Sequence, residues 1–258
     1  MIDAHEDQAT GLRRLFRRAP PLVVALYAAG RERAAVALRT AYRFSARDER
    51  VLVLDEAGAG RSLAQTVGVE DNKDLLGVLG ERIRLDEIVQ RVPGLAGRVP
   101  ARAAALALPL LDGERREKLC AALDTLHRRT DVVLVHADGD EATDPSPFVF
   151  AAPHRLLVAE TSRSGALEAY ATIKALAAAG AGSLHVAVAG ARSREEATAF
   201  FASLDALVFA HVGVPLTWLG EIESDDLRAG LASNPVPRQV GMPAFLRRLA
   251  TPRDARVR

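Results

Sequence analysis

The chain has 258 residues, 49% apolar and 26% charged, enough for one large α/β domain with a substantial buried core. A net charge of +1 excludes an overall bias toward nucleic acid, and the single cysteine, Cys120, excludes an internal disulfide framework. No run approaches the roughly 20 apolar residues of a membrane span, and the N-terminus lacks a signal-peptide apolar region, so a cytoplasmic protein is expected.

The first element predicted is an amphipathic helix over Asp7–Leu15. Leu12, Leu15 and Phe16 recur at i, i+3 and i+4, while Arg13, Arg14, Arg17 and Arg18 take the other faces. Asp7 reads as its N-cap, and Pro20-Pro21 ends it. So short a helix is marginal alone in water. It is therefore expected to fold onto something else, either its own domain or a partner.

Beyond it, short apolar runs alternate with helix-period segments, the pattern of a doubly wound, mostly parallel α/β sheet. The predicted strands are Leu22–Tyr27, Val51–Leu54, Ala104–Leu108, Val132–Val135, Leu156–Ala159, Leu184–Ala189 and Leu216–Leu219. The runs at 22–27, 51–54 and 132–135 are apolar on both faces, which predicts central strands. Helices are predicted over Arg33–Phe44, Glu114–Arg128, Gly165–Ala179 and Arg194–His211, with two short ones within Asp74–Gln90. The economical partition is an N-terminal helix and linker over 1–20, one α/β domain over 21–240, and a short amphipathic helix with a basic tail over 241–258.

Four local features invite chemistry. His136 precedes Asp138, Asp140 and Glu141, which suggests a general base or a metal cluster. The carboxylates fall in a turn, however, and no second histidine has ligand spacing, so a solvated acidic loop over Asp138–Asp144 is expected. Ser162 and Ser164 lack a Gly-x-Ser-x-Gly elbow. Cys120 and Leu123 share one side of a helix, which favours packing. In Met242–Ala250, Phe245, Leu246 and Leu249 oppose Arg247 and Arg248, so the helix could touch a membrane surface, but its apolar face is about one turn deep and packing on the domain is expected.

Several motifs resemble one family. Asp7-Gln8-Ala9-x-x-Leu12-Arg13 is similar to the N-terminal activator motif of FlhG (FleN), the MinD/ParA-like P-loop ATPase branch that controls flagellar number and placement. Leu22–Leu38 resembles the P-loop unit of MinD/ParA proteins, where Lys-Gly-Gly-x-Gly-Lys-Thr opens a helix. In that register Ala28 replaces the signature lysine, and Ala29 and Glu32 replace glycines. Gly30 is retained, Arg33 replaces the second lysine, and Ala34 replaces the magnesium-binding threonine. Arg50-Val-Leu-Val-Leu-Asp55 resembles the strand that ends in the switch aspartate, with Ala57 where a second acid often stands. Thr130-Asp-Val-Val-Leu-Val-His136 resembles the Walker B strand with His136 at the aspartate. Ala189 stands where an asparagine usually meets adenine. Glu168–Leu176, Val214–Ile222, Asp225–Arg228 and Asn234–Val236 also resemble FlhG segments, so the likeness spans about residues 7 to 250.

The resemblance implies an FlhG-like regulator of flagellar number and placement whose degenerate nucleotide site makes it a pseudo-ATPase acting by protein binding. No catalytic residue, cofactor or metal is expected at Gly30, Arg33, Ala34, Asp55, His136 and Ala189. Asp7, Gln8, Ala9, Leu12, Arg13 and Leu15 would engage the GTPase FlhF, with Gln8 placed to stimulate its GTP hydrolysis. No nucleic acid partner is expected. The location implied is cytoplasmic, with peripheral contact at the inner membrane or cell pole as a family trait. The alternative is an active MinD/ParA-like ATPase with an atypical P-loop, using ATP and Mg²⁺ in polar localisation or in pilus or flagellum assembly.

Overall fold

The computed structural model describes residues 21–58, 60–80, 83–180, 183–233 and 242–251. The helix expected over Asp7–Leu15 lies outside them, as does Asn234–Val236. In chain order the elements are β1 (Leu22–Ala29), α1 (Arg33–Ser45), β2 (Val51–Asp55), α2 (Leu63–Val67), α3 (Leu85–Ile88) and β3 (Gly97–Pro100). There follow α4 (Arg102–Ala107), α5 (Gly113–His127), β4 (Val132–His136), α6 (Pro147–Ala151), β5 (His154–Glu160) and α7 (Arg163–Ala178). The last are β6 (Leu184–Ala189), α8 (Arg194–Val212), β7 (Leu216–Glu221), α9 (Leu227–Ser233) and α10 (Met242–Ala250). Short 3-10 turns sit at Leu75–Gly80, Leu108–Leu110 and Gly139–Glu141.

The seven strands form one sheet in the order β3-β2-β4-β1-β5-β6-β7, and every pairing is parallel. Successive strand residues point to opposite faces, and β1 divides accordingly. Val23, Ala25, Tyr27 and Ala29 enter a core shared with α5, α7 and α8, whereas Val24, Leu26 and Ala28 enter one shared with α1 and α9. Both faces are therefore covered, as the continuous apolar runs require. The segments expected to be central are so placed, since β2, β4 and β1 are flanked on both sides. Local side chains set the helix starts. Asp112, Ser146, Ser162 and Ser193 each accept from the backbone N–H three residues on, at the N-termini of α5 to α8. Gly213, at φ +75°, ends α8 in the left-handed conformation that costs glycine least.

One strand was expected in the wrong place. Ala104–Leu108 is not a strand but the body of α4 and the 3-10 turn after it, and the sheet edge is Gly97–Pro100 instead. Alanine is the strongest helix former and a weak strand former, so the Ala-rich run follows its propensity. Pro100 fits β3 because the outer side of this edge strand is paired only by the Arg98–Gln90 bridge, leaving the missing N–H of Pro100 without consequence. Asp138–Asp144 also differs from a solvated loop: it contains a 3-10 turn, Asp138 is buried in an ion pair with Arg61, and Ala142 is fully buried.

Candidate functional site

In an open parallel sheet, ligands bind beyond the carboxyl ends of strands where the connections diverge. Here α1 leaves β1 toward β2, and α7 leaves β5 toward β6 on the other side, so the divergence lies between β1 and β5. Gly30, Asp55, His136 and Ala189 all fall at that edge, ending or following β1, β2, β4 and β6. Arg33 and Ala34 open α1. Ala189 is buried, and its carbonyl accepts from the Thr161 backbone N–H at 3.0 Å. Asp7, Gln8, Ala9, Leu12, Arg13 and Leu15 lie outside the described residues.

The turn between β1 and α1 is a concave run of backbone donors. Gly30 has φ +133°, a conformation open to glycine, and a Cβ there would collide with the Glu160 carboxylate. The Gly30 N–H donates to Glu168 Oε2 at 2.8 Å. The next two donate to Glu160: Arg31 N–H to Oε2 at 2.8 Å and Glu32 N–H to Oε1 at 3.3 Å. Arg33 adds ion pairs to Glu168 at 3.5 Å and Asp140 at 3.4 Å. Parallel register sets Ala29 beside Ala159, which brings Glu160 to this turn. Ala34 offers no hydroxyl.

A second cluster lies one strand further along. Asp55 and His136 are register partners, and His136 Nδ1 sits 2.8 Å from Asp55 Oδ1. Asp55 Oδ2 accepts from Arg98 Nε at 2.6 Å, Ser62 Oγ at 3.0 Å and the Leu63 N–H at 2.8 Å. The Arg98 side chain, 1% exposed, also donates to Gln90 Oε1, Ser62 Oγ and both Asp71 oxygens. Burial pushes the Asp55 carboxyl upward, yet the hydrogen bond and charge of His136, and then Arg98, hold it down at about 2.

Glu56 behaves oppositely. It is buried, accepts from Ser146 Oγ at 2.9 Å, and is pushed up to about 8 by burial, with Glu141 and Asp55 adding to the rise. A carboxyl raised from 4.5 to about 8 contributes its full stability below 4.5 and loses it as pH rises through 8. Glu56→Gln keeps an acceptor for Ser146 and removes the charge. The variant is therefore expected to gain stability over wild type at alkaline pH, on the order of a few kcal/mol, and to match it near pH 4.5. Thermal melts at the two pH values check this; parallel profiles would contradict it.

The residues missed in the sequence are mostly the partners: Arg98, Ser62, Asp71 and Gln90 around Asp55, and Glu160 and Glu168 at the turn. The one signal for Glu160 was its place after Leu-Leu-Val-Ala, at the carboxyl end of a predicted strand.

No family model and no curated protein matches the chain. Solved structures are. MinD in the Aquifex aeolicus MinC:MinD cell division protein complex matches with 17% identity and a TM-score of 0.51, over 88% of this chain and 95% of that one. A ParA family ATPase from Chlorobium tepidum matches with 16% identity and a TM-score of 0.51, over 89% and 97%. At such identity the likeness shows the fold alone, that of MinD/ParA P-loop ATPases.

Proposed function

We propose that the chain is an FlhG-like regulator of flagellar number and placement that acts by binding proteins rather than by hydrolysing ATP. The observation that carries the pseudo-ATPase part is the state of Asp55, the residue matching the family's switch aspartate. It is buried, and both of its carboxylate oxygens are taken up by Arg98, Ser62 and His136. Phosphoryl transfer depends on metal and charged groups that stabilise the transferring phosphoryl. Residues at the matching positions do not fit Mg-ATP. Ala34 has no oxygen for Mg²⁺, His136 supplies an imidazole where a hard cation prefers carboxylate, and Glu160 and Glu168 hold the N–H groups a phosphate would use.

The flagellar part rests on the resemblance of Asp7–Arg13 to the FlhG activator motif. In this reading Leu12 and Leu15 seat in an apolar groove of FlhF, Arg13 meets acidic or phosphate groups, and Gln8 orients the attacking water. Action through a protein partner also suits a fold whose MinD example is solved in complex with MinC.

Calorimetric titration of the full chain with ATP and Mg²⁺ is expected to give no binding heat, and turnover is expected far below the roughly 1 s⁻¹ of a working enzyme. Hydrolysis at that rate, abolished by Arg33→Ala, would instead assign the active atypical ATPase. A peptide of residues 1–20 is expected to raise FlhF GTPase activity, and Gln8→Ala to lose that effect while still binding. If neither peptide nor protein touches FlhF, the flagellar reading fails.

A further inference from the structure

Three successive backbone N–H groups, at Gly30, Arg31 and Glu32, point into one concavity at the start of a 13-residue helix. Such a run, at the positive end of a helix dipole, is an anion nest. Its occupants come from remote parts of the chain: Glu160 ends β5, and Glu168 lies one turn into α7. The fit is close enough that Gly30 has no room for a side chain on the Glu160 side. Gly165 packs as closely on the Glu160 backbone, since a Cβ there would strike the Glu160 carbonyl oxygen, so the start of α7 sits directly against the end of β5.

Glu160 also lines a cavity of about 440 Å³, together with Arg31, Ser162, Arg163, Ser164 and Leu167. Among the described residues neither the Arg31 nor the Arg163 guanidinium has an ion pair. The cavity thus offers positive charge beside a nest whose donors are already spent. An incoming polyphosphate would meet two carboxylates in the seats it needs.

We propose that Glu160 and Glu168 form an autoinhibitory latch, a tethered pair of carboxylates that fills the α1 anion nest and keeps phosphate-bearing ligands out. The nest itself remains competent, and its ligand is the chain. The latch ties the β1–α1 turn to the end of β5 and the first turns of α7. This rests on the reading of the site as non-hydrolysing, and the two fail separately. ATP turnover by wild type defeats that reading; the latch stands or falls on the behaviour of its amides.

The test compares the full chain with Glu160→Ala, which vacates a seat, and Glu160→Gln, which fills it without charge. Amide hydrogen exchange at Arg31 and Glu32 is expected to be slow in wild type and about tenfold or more faster in Glu160→Ala. The melting temperature of Glu160→Ala is expected to fall by about 5 °C. Millimolar inorganic phosphate, against chloride at equal ionic strength, is expected to restore both protection and melting temperature in Glu160→Ala and to leave wild type unchanged. An equal phosphate response in wild type overturns the latch, because the nest would then be open. So does a folded Glu160→Ala that ignores phosphate. If Glu160→Ala does not fold, Glu160→Gln decides: its amide has one acceptor oxygen where the carboxylate has two, so faster exchange at one of the two N–H groups supports the latch, and unchanged exchange at both overturns it.

Discussion

Replacing Arg98 with methionine is expected to cost about 3–5 kcal/mol of stability, a large share of the roughly 5–15 kcal/mol that holds a typical domain together. Methionine has comparable length but no donor, so Asp55 keeps its charge in a buried site after losing its bond to Arg98 Nε. Asp71 sits at the rim with a side chain 41% exposed, and Asp71→Ala is expected to cost no more than about 1 kcal/mol. Combining Arg98→Met with Asp55→Asn removes the stranded charge, so the double variant is expected to lose less than the sum of the singles. Denaturant melts of wild type, the three single variants and the double measure this. Equal, small losses for Arg98→Met and Asp71→Ala would show that the buried pair contributes nothing special.

That network has a functional side. A switch residue must change partners when its ligand changes, which needs two arrangements of similar free energy. Asp55 instead has partners on β4, on β3, and at the start of α2, all at hydrogen-bond distance. Each must be broken together before Asp55 turns toward the nest. Asp55 is thus a fixed strut that ties the end of β2 to β3, β4 and α2.

How much of this was legible in sequence depended on range. β1, β2, β4, β5 and β6 were readable because each carries a largely apolar run buried on both faces, a local signal, whereas β7 is a half-buried edge strand read from its Leu-Thr-Trp-Leu run. β3 was not, since Gly-Arg-Val-Pro contains one apolar β-branched residue and its central side chain is a buried arginine. An arginine reads as surface unless its partners are known, and those are Asp55, 43 positions away, Asp71 at 27 and Ser62 at 36. Gly30, Asp55, His136 and Ala189 were placed through resemblance, because each ends or follows a strand-like run. What fills the nest was not legible: Glu160 and Glu168 are 129 and 138 positions from the amides they accept from at Arg31 and Gly30, and only the β1–β5 register brings them there.

Phe245→Ala is expected to destabilise the whole domain by about 3–5 kcal/mol, the usual cost of truncating a buried phenylalanine. The amphipathic pattern of α10 leaves open what its apolar side faces, and the packing answers it. Phe245 is fully buried, with Ala244 and Leu249 nearly so, while Arg248 Nη1 donates to the Ala151 carbonyl at 3.1 Å. The Phe245 ring meets His127 edge-on at 6.0 Å and Phe148 at 6.4 Å, so the helix closes the end of the core formed by α5 and α6. With those side chains committed to the core, no apolar stripe on 244–249 remains to enter a lipid surface, which needs exposed apolar area. Removing the ring opens a cavity beside His127, whose own ring is held neutral by burial, its pKa lowered to about 3. His127 contributes stability that is full above 6.5 and is lost as pH falls toward 3, so an opened, wetter site should weaken that acid sensitivity. Denaturant melts at neutral and acid pH, with flotation on anionic vesicles, separate the two roles of the helix. A Phe245→Ala protein of unchanged stability that loses vesicle binding would place α10 on the membrane rather than in the core.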